Sequence, residues 1–352
     1  MPRPNARLCQ RVRLQGRRLV RVHNLALIAS ADLSDVFRVA DLDAVFAAKV
    51  QAKCSGLGVI PRLLAAEPSW PLGAAREALV EHCADALHAY RTQCAQTSPA
   101  GQLILPESLK LLPLYSLGAL KSLALRENVK LGKSSCLAPD PRADERSFRL
   151  QGLDSCSPAA LHRLLQPRLF DVACLDPTSP AGEAAAPEDT TKAAPGEPLK
   201  GPSGAPTGTH FPHGHVALPP VLPCSAASLE QDKVLLLDAG AELFLWVGSE
   251  VDGLILEDLF GVDEVSDACP PDGLADCAGG SLTLGRLVAL LAELRLGLPG
   301  FAPLKVVVSG PRSAHEPRFH SLLIEDKTSH EMSYVDFLCA IHRKIQQKMS
   351  KA

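Results

Sequence analysis

No apolar run in the 352-residue chain approaches the roughly 18 residues that a membrane span demands. The chain also lacks a charge excess of either sign. A net charge of −3 and a pI near 6.4 argue against a dedicated nucleic-acid binder, which needs a strongly basic domain. Cysteine is present but its useful patterns are not: the 11 cysteines, scattered from Cys9 to Cys339, include no pair at CxxC spacing. That excludes the usual zinc and redox signatures and fits reduced thiols in a cytosolic protein, several of them serving as small core residues. The basic start Met1-Pro-Arg-Pro-Asn-Ala-Arg7 is followed by no uninterrupted apolar core, so it does not read as a secretory signal. Nucleophile and metalloprotease signatures (GxSxG, HExxH, a cysteine set for His-assisted attack) are missing, and no catalysis is expected. What the chain does have is apolar material, 46% of residues, enough for sizeable cores in two or three soluble domains.

Its organisation changes along the length. Residues 1–33 read as the tail of something larger, with one strand over Arg18–Ile28 that cannot stand without neighbours. Residues 34–131 read as helical. Ser34 suits a cap, Lys53–Pro71 interrupts the pattern with glycines and prolines, and a long helix fits Ala74–Ala95. In that helix Leu79, Cys83, Ala86, Leu87, Tyr90 and Cys94 share one face. Pro106 opens a further helix that Pro113 kinks or divides, and Ser157-Pro158 opens a short one. Residues 176–223 hold 11 of the 29 prolines and almost no large apolar residue before Phe211, a composition expected to be disordered. From 224 the pattern turns to α/β. Lys233–Asp238 and Glu242–Val247 read as a hairpin, helices fall at about 252–260 and 281–296, and strands at 304–309 and 319–324. A closing helix runs from Ser333 to about Lys348, with Tyr334, Phe337, Leu338, Ile341 and Ile345 on one face. One sheet with helices packed against it is the expected arrangement.

Isolated chemical signals each have a plainer account. Leu131-Gly-Lys-Ser-Ser135 lacks the opening glycine of a phosphate loop, since Glu127 stands there. His210, His213 and His215 lie in a Pro/Gly-rich tract without a fixed second shell and read as solvated histidines. Cys269 and Cys277 read as unpaired loop thiols. Glu257, Asp258, Asp263, Glu264 and Asp267 read as a solvated helix end and loop. His82, Cys83 and His88 are explained by packing and surface placement.

The hairpin Leu237-Asp-Ala-Gly-Ala-Glu-Leu-Phe-Leu-Trp-Val-Gly248 resembles that of gelsolin-like domains. Three further segments narrow the resemblance. Cys94-Ala-Gln-Thr-Ser-Pro-Ala-Gly-Gln-Leu-Ile-Leu-Pro-Glu-Ser-Leu-Lys-Leu-Leu-Pro-Leu-Tyr115 and Ala75-Arg-Glu-Ala-Leu-Val80 resemble the helical domain of the COPII inner-coat cargo adaptor, the Sec twenty-four family. Ile324-Glu-Asp-Lys-Thr328 with Ser333-Tyr-Val-Asp-Phe-Leu-Cys339 resembles the family's last strand and helix. These motifs follow the family's order across most of the chain.

The resemblance implies an α+β protein: an all-helical domain, then a gelsolin-like α/β domain, with a remnant β-sandwich strand at the N-terminus. The domains expected are 1–33 (remnant strand), 34–131 (helical), 132–175 (start of the gelsolin-like region), 176–223 (disordered Pro-rich insertion) and 224–352 (gelsolin-like). It implies a non-enzymatic vesicle-coat component that recognises cargo in endoplasmic reticulum to Golgi transport. Partners would be a GTPase-activating coat subunit and the cytosolic tails of cargo and SNARE proteins. Membrane association would be peripheral, on the cytosolic side of the endoplasmic reticulum and of coated vesicles, with no nucleic acid bound. No cofactor is expected, because the family's zinc-finger region and trunk are absent from this chain. Alternatives are a gelsolin-like actin- or calcium-binding module, or a truncated paralogue without function. For cargo peptides the candidate residues are Arg318, Phe319 and His320, which put a cation and an apolar body at a sheet end. The competing account is an ordinary polar loop with Phe319 packed inward.

Overall fold

The computed structural model describes residues 5–14, 17–26, 30, 32–56, 72–99, 101–126, 142–175, 218–262, 274, 282–296, 298, 300–310, 315–328 and 331–350. The expectations for residues 131–135, 210–215, 263–269 and 277 therefore lie outside the described residues, as does nearly all of the Pro-rich tract.

The N-terminal segment forms two strands instead of one. β1 (Asn5–Leu14) and β2 (Arg17–Ala26) pair antiparallel, from Asn5 opposite Ala26 to Leu14 opposite Arg17. In β1 Arg7, Arg11 and Arg13 alternate with Leu8, Val12 and Leu14, a period of two interrupted only at Cys9-Gln10.

The helical part comprises α1 (Leu33–Val39), α2 (Leu42–Gly56), α3 (Leu72–Cys94), α4 (Leu112–Lys121), α5 (Ala143–Ser155) and α6 (Pro158–Leu165). Asp32, not Ser34, caps α1, its carboxylate accepting from the Ser34 N–H at 2.9 Å. Pro113 sits in the first turn of α4, directly after a 3-10 turn at Glu107–Leu109, so it divides the stretch as its missing N–H dictates. Ser157 caps α6 with Pro158 at its start. Leu79, Cys83 and Leu87 of α3 pack with Phe46, Leu112, Leu117, Leu150 and Leu161 in one core, while Cys94 at the helix end is exposed.

The second part is a five-stranded sheet, order β4-β3-β5-β6-β7, from β3 (Arg168–Asp171), β4 (Val221–Leu222), β5 (Val234–Asp238), β6 (Leu243–Val247) and β7 (Leu304–Val308). All pairs are antiparallel except β6–β7. β5 and β6 are buried along their whole length because both faces are covered, which is why they read as unbroken apolar runs. Val234, Leu236, Leu243, Leu245 and Val247 face α7 (Gly253–Phe260) and α8 (Leu282–Leu296). Leu235, Leu237, Phe244 and Trp246 face the opposite way, against Leu114 of α4 and the segment Phe319–Ile324.

Two expectations fail here. The 319–324 stretch is not a strand: α9 (Glu316–His320) carries Pro317 in its first turn, and a turn follows. A short apolar run carries no periodicity that separates strand from helix, and Pro317 settles it for helix. The closing helix α10 (Tyr334–Met349) touches the sheet-side cluster only through Tyr334. It returns to the helical core, where Phe337, Ile341 and Ile345 lie among the residues of α3 and α4.

Candidate functional site

The return of α10 locks the two parts together and leaves a cleft between them. Arg76 of α3 donates to the Leu120 and Leu125 carbonyls, each at 2.7 Å, and to Glu331 at 2.8 Å. Arg146 of α5 donates to the carbonyls of Ala124 at 3.1 Å and Arg126 at 2.7 Å. These bonds fix the stretch after α4 as one wall. Lys121 closes the back by donating to the Ile324 carbonyl at 2.8 Å, and burial lowers the pKa of its ammonium.

The β5–β6 turn forms a second wall. Asp238 accepts two hydrogen bonds from Arg163 of α6, each 3.0 Å, one from Arg168 at 2.6 Å and one from the Gly240 N–H at 3.0 Å. Burial pushes its carboxyl pKa up, but the two guanidiniums outweigh that and hold it below 3.8. Gly240 has φ +74°, and a Cβ there would lie 3.1 Å from the Arg163 backbone. A Cβ on Gly118 of α4 would come within 2.3 Å of the Leu165 carbonyl oxygen. The two glycines let α4, α6 and the turn approach this closely.

The resulting cavity has a volume of about 630 Å³. Phe148 of α5 and Phe301, before β7, stand at its rim, 77% and 76% exposed. The Arg295 guanidinium lies over the Phe301 ring, 4.6 Å from its centre. Among the described residues, the lining carries four cationic side chains, Lys121, Arg126, Arg149 and Arg318, and no carboxylate.

The three residues expected at the site therefore separate. Arg318 lines the cleft and donates to Glu242 at 2.9 Å, a carboxylate shared with Lys305 at 2.6 Å. Burial raises the Glu242 pKa, and the neighbouring Arg318 and Lys305 lower it further than that, to a net value below the ordinary carboxylate range. Phe319 is 0% exposed, edge-on to Phe244 at 6.0 Å in the sheet core, and so cannot be a surface anchor. His320 is on the surface, 3.5 Å from Glu316. The apolar rim comes instead from Phe148 and Phe301, far apart in sequence. The available signal was a lone phenylalanine in the charged helix Asp-Glu-Arg-Ser-Phe-Arg.

Elsewhere, Cys83 is buried with its thiol pushed up to about 12 by desolvation, which removes it as a nucleophile. No group of three or more potential metal ligands occurs among the described residues. Among them, too, no helix is long and apolar enough to cross a membrane.

The structure is thus an all-α part joined to a mixed sheet, with an aromatic and basic cleft between them. Its parts match the Sec23/Sec24 helical domain over residues 62–163 and the gelsolin repeat over 215–268. The chain is 30% identical to protein transport protein SEC24 C of Arabidopsis thaliana and 30% identical to protein transport protein Sec24C of Homo sapiens. These alignments cover 96% and 95% of this chain but 26% and 25% of the relatives. The crystal structure of the human COPII-coat protein Sec24c superposes with a TM-score of 0.67 at 27% identity, over 95% of this chain and 36% of that one. The resemblance to the COPII inner-coat cargo-adaptor family is thus borne out: the chain is a homologue of these proteins over nearly all its own length and about a quarter of theirs. The α+β class, helical domain followed by gelsolin-like domain, is borne out with it.

Proposed function

We propose that the chain is a non-enzymatic component of a COPII vesicle coat and recognises cargo in transport from the endoplasmic reticulum to the Golgi. The observation that carries this reading is the similarity to coat proteins through 96% of the chain, helical and gelsolin-like parts alike. Its partners on this reading are a GTPase-activating coat subunit and the cytosolic tails of cargo and SNARE proteins. It works as a peripheral protein on the cytosolic face of the endoplasmic reticulum and its vesicles, and the reading calls on no cofactor.

Native immunoprecipitation with an antibody to residues 333–352 tests it. Recovery of the GTPase-activating coat subunit is the expected result. Recovery of actin instead, or of no coat subunit from cells making COPII vesicles, overturns it.

A further inference from the structure

The helix α8 is apolar nearly all round: Leu-Thr-Leu-Gly-Arg-Leu-Val-Ala-Leu-Leu-Ala-Glu-Leu-Arg-Leu. Leu284, Leu287, Leu290, Leu291 and Leu294 face the sheet and are buried. The opposite side has no polar stripe to meet water. Gly285, Val288, Ala289, Ala292 and Leu296 follow one another there at helical spacing, with Val288 37% and Leu296 68% exposed. The neighbouring α7 adds Leu254, 72% exposed on the side away from its buried Leu256, Leu259 and Phe260. Exposed apolar side chains gathered on one face of a folded domain mark an interaction surface. The charges of α8 are few. Arg295 is engaged with the Ala302 carbonyl at 3.0 Å and with the Phe301 ring. Arg286 and Glu293 stand on one edge of the apolar face, seven positions apart (293 minus 286), which is about two turns.

We propose that a second copy of the chain docks on this face, the two α8 helices packing antiparallel about a twofold axis near residue 290. Charge selects that occupant. In an antiparallel helix pair the same edge of each helix meets, so the twofold sets Arg286 of each chain opposite Glu293 of the other. Gly285, Ala289 and Ala292 are small enough to let the helix axes come within about 8–10 Å. An anionic membrane surface is a poor fit, because Glu257, Asp258 and Glu293 border the face. A net charge of −3 leaves little long-range repulsion between copies. One helix pair with its α7 flank is a small interface, so the dimer forms in a concentration-dependent way. This inference stands apart from the coat reading and survives or fails without it.

Sedimentation equilibrium on the full chain tests it. The mass should rise from 37.4 kDa toward twice that value as concentration increases, and stop there. Val288→Glu and Leu296→Glu change exposed side chains, so the fold survives, as circular dichroism will confirm. Each should weaken the dimer by about tenfold or more. Arg286→Glu alone and Glu293→Arg alone should each weaken it, since like charges then meet. The double variant should restore it to within about threefold of the parent. Under mild oxidation Ala289→Cys should form a disulfide between the two copies of residue 289, located by mass spectrometry. A monomer at every concentration, growth beyond a dimer, or indifference to Val288→Glu and Leu296→Glu overturns the proposal. So does a folded double variant without restoration, or cross-linking that avoids residue 289. Where a charge-reversal variant does not fold, the Val288, Leu296 and cross-linking results decide alone. If the chain stays monomeric and Val288→Glu abolishes recovery of the coat subunit, the face belongs to a coat partner and the proposal fails.

Discussion

Replacing Asp238 by Asn should cost the protein much of its stability. The carboxylate is wholly buried and bridges both domains, taking two hydrogen bonds from Arg163, one from Arg168 and one from the Gly240 N–H. Asn keeps the volume, removes the charge, and turns an N–H group toward one of the arginines. The Arg163 side chain, 7% exposed, is left as a buried cation without its partner. Removing one member of a buried pair costs about 3–5 kcal/mol, against the roughly 5–15 kcal/mol that holds an ordinary domain together. Arg168→Ala should cost less, because that guanidinium is closer to water. The pH dependence has a definite sign. The folded-state pKa lies below 3.8, so the unfolded chain takes up the proton first. The contribution of Asp238 is complete above that value and is lost as pH falls toward the folded-state pKa. Urea unfolding followed by far-ultraviolet circular dichroism gives the free energies. Asp238→Asn should also cost far less in an Arg163→Met background. A loss below about 1 kcal/mol, or an equal loss in both backgrounds, would refute the reasoning.

Gly118→Ala should destabilise by about 1–3 kcal/mol and perturb the cleft, since its Cβ would meet the Leu165 carbonyl oxygen at 2.3 Å; a neutral result in thermal unfolding contradicts that close approach. Glu81 accepts hydrogen bonds from Lys344 and Lys348, which hold its carboxyl at about 2. Its contribution is present above its ordinary 4.5 and lost as pH falls toward 2. Glu81→Gln should remove about 0.2–1 kcal/mol at neutral pH, salt screening keeping the figure small. It should also flatten the acid limb of the stability curve, which a pH series of unfolding midpoints reads directly. Alkylation followed by mass spectrometry should label exposed Cys94, Cys174 and Cys339 in the native protein. Buried Cys83 and Cys224, whose thiols desolvation pushes up to about 12, should react only after unfolding.

Several elements were legible in the chain because local chemistry fixes them. The hairpin β5–β6 follows from two apolar runs around Asp-Ala-Gly-Ala, α6 from Ser157-Pro158, and the break before α4 from Pro113. The hairpin and the stretch around Pro113 also carry part of the family resemblance, the rest lying in Ala75–Val80 and in 324–339. Arg318 lines the cleft from the short helix α9, not from the end of a strand as the sequence pattern suggested.

What tertiary structure decided is where those elements go. The amphipathic face of α10 suits a sheet or a helical core equally, and only the packing of Phe337, Ile341 and Ile345 shows that it turns back to the helices. β3 is four residues long, too short to announce itself, yet it sits inside the sheet between β4 and β5. Phe319 looks like a surface anchor beside two charged neighbours, but Phe244 and Trp246 provide an apolar site that draws it inward. The cleft itself is formed by Phe148 and Phe301, which are 153 positions apart (301 minus 148). The sequence by itself determined the elements and the relatives, through contacts a few residues apart. The site depended on contacts between domains, and those exist only once the chain has folded.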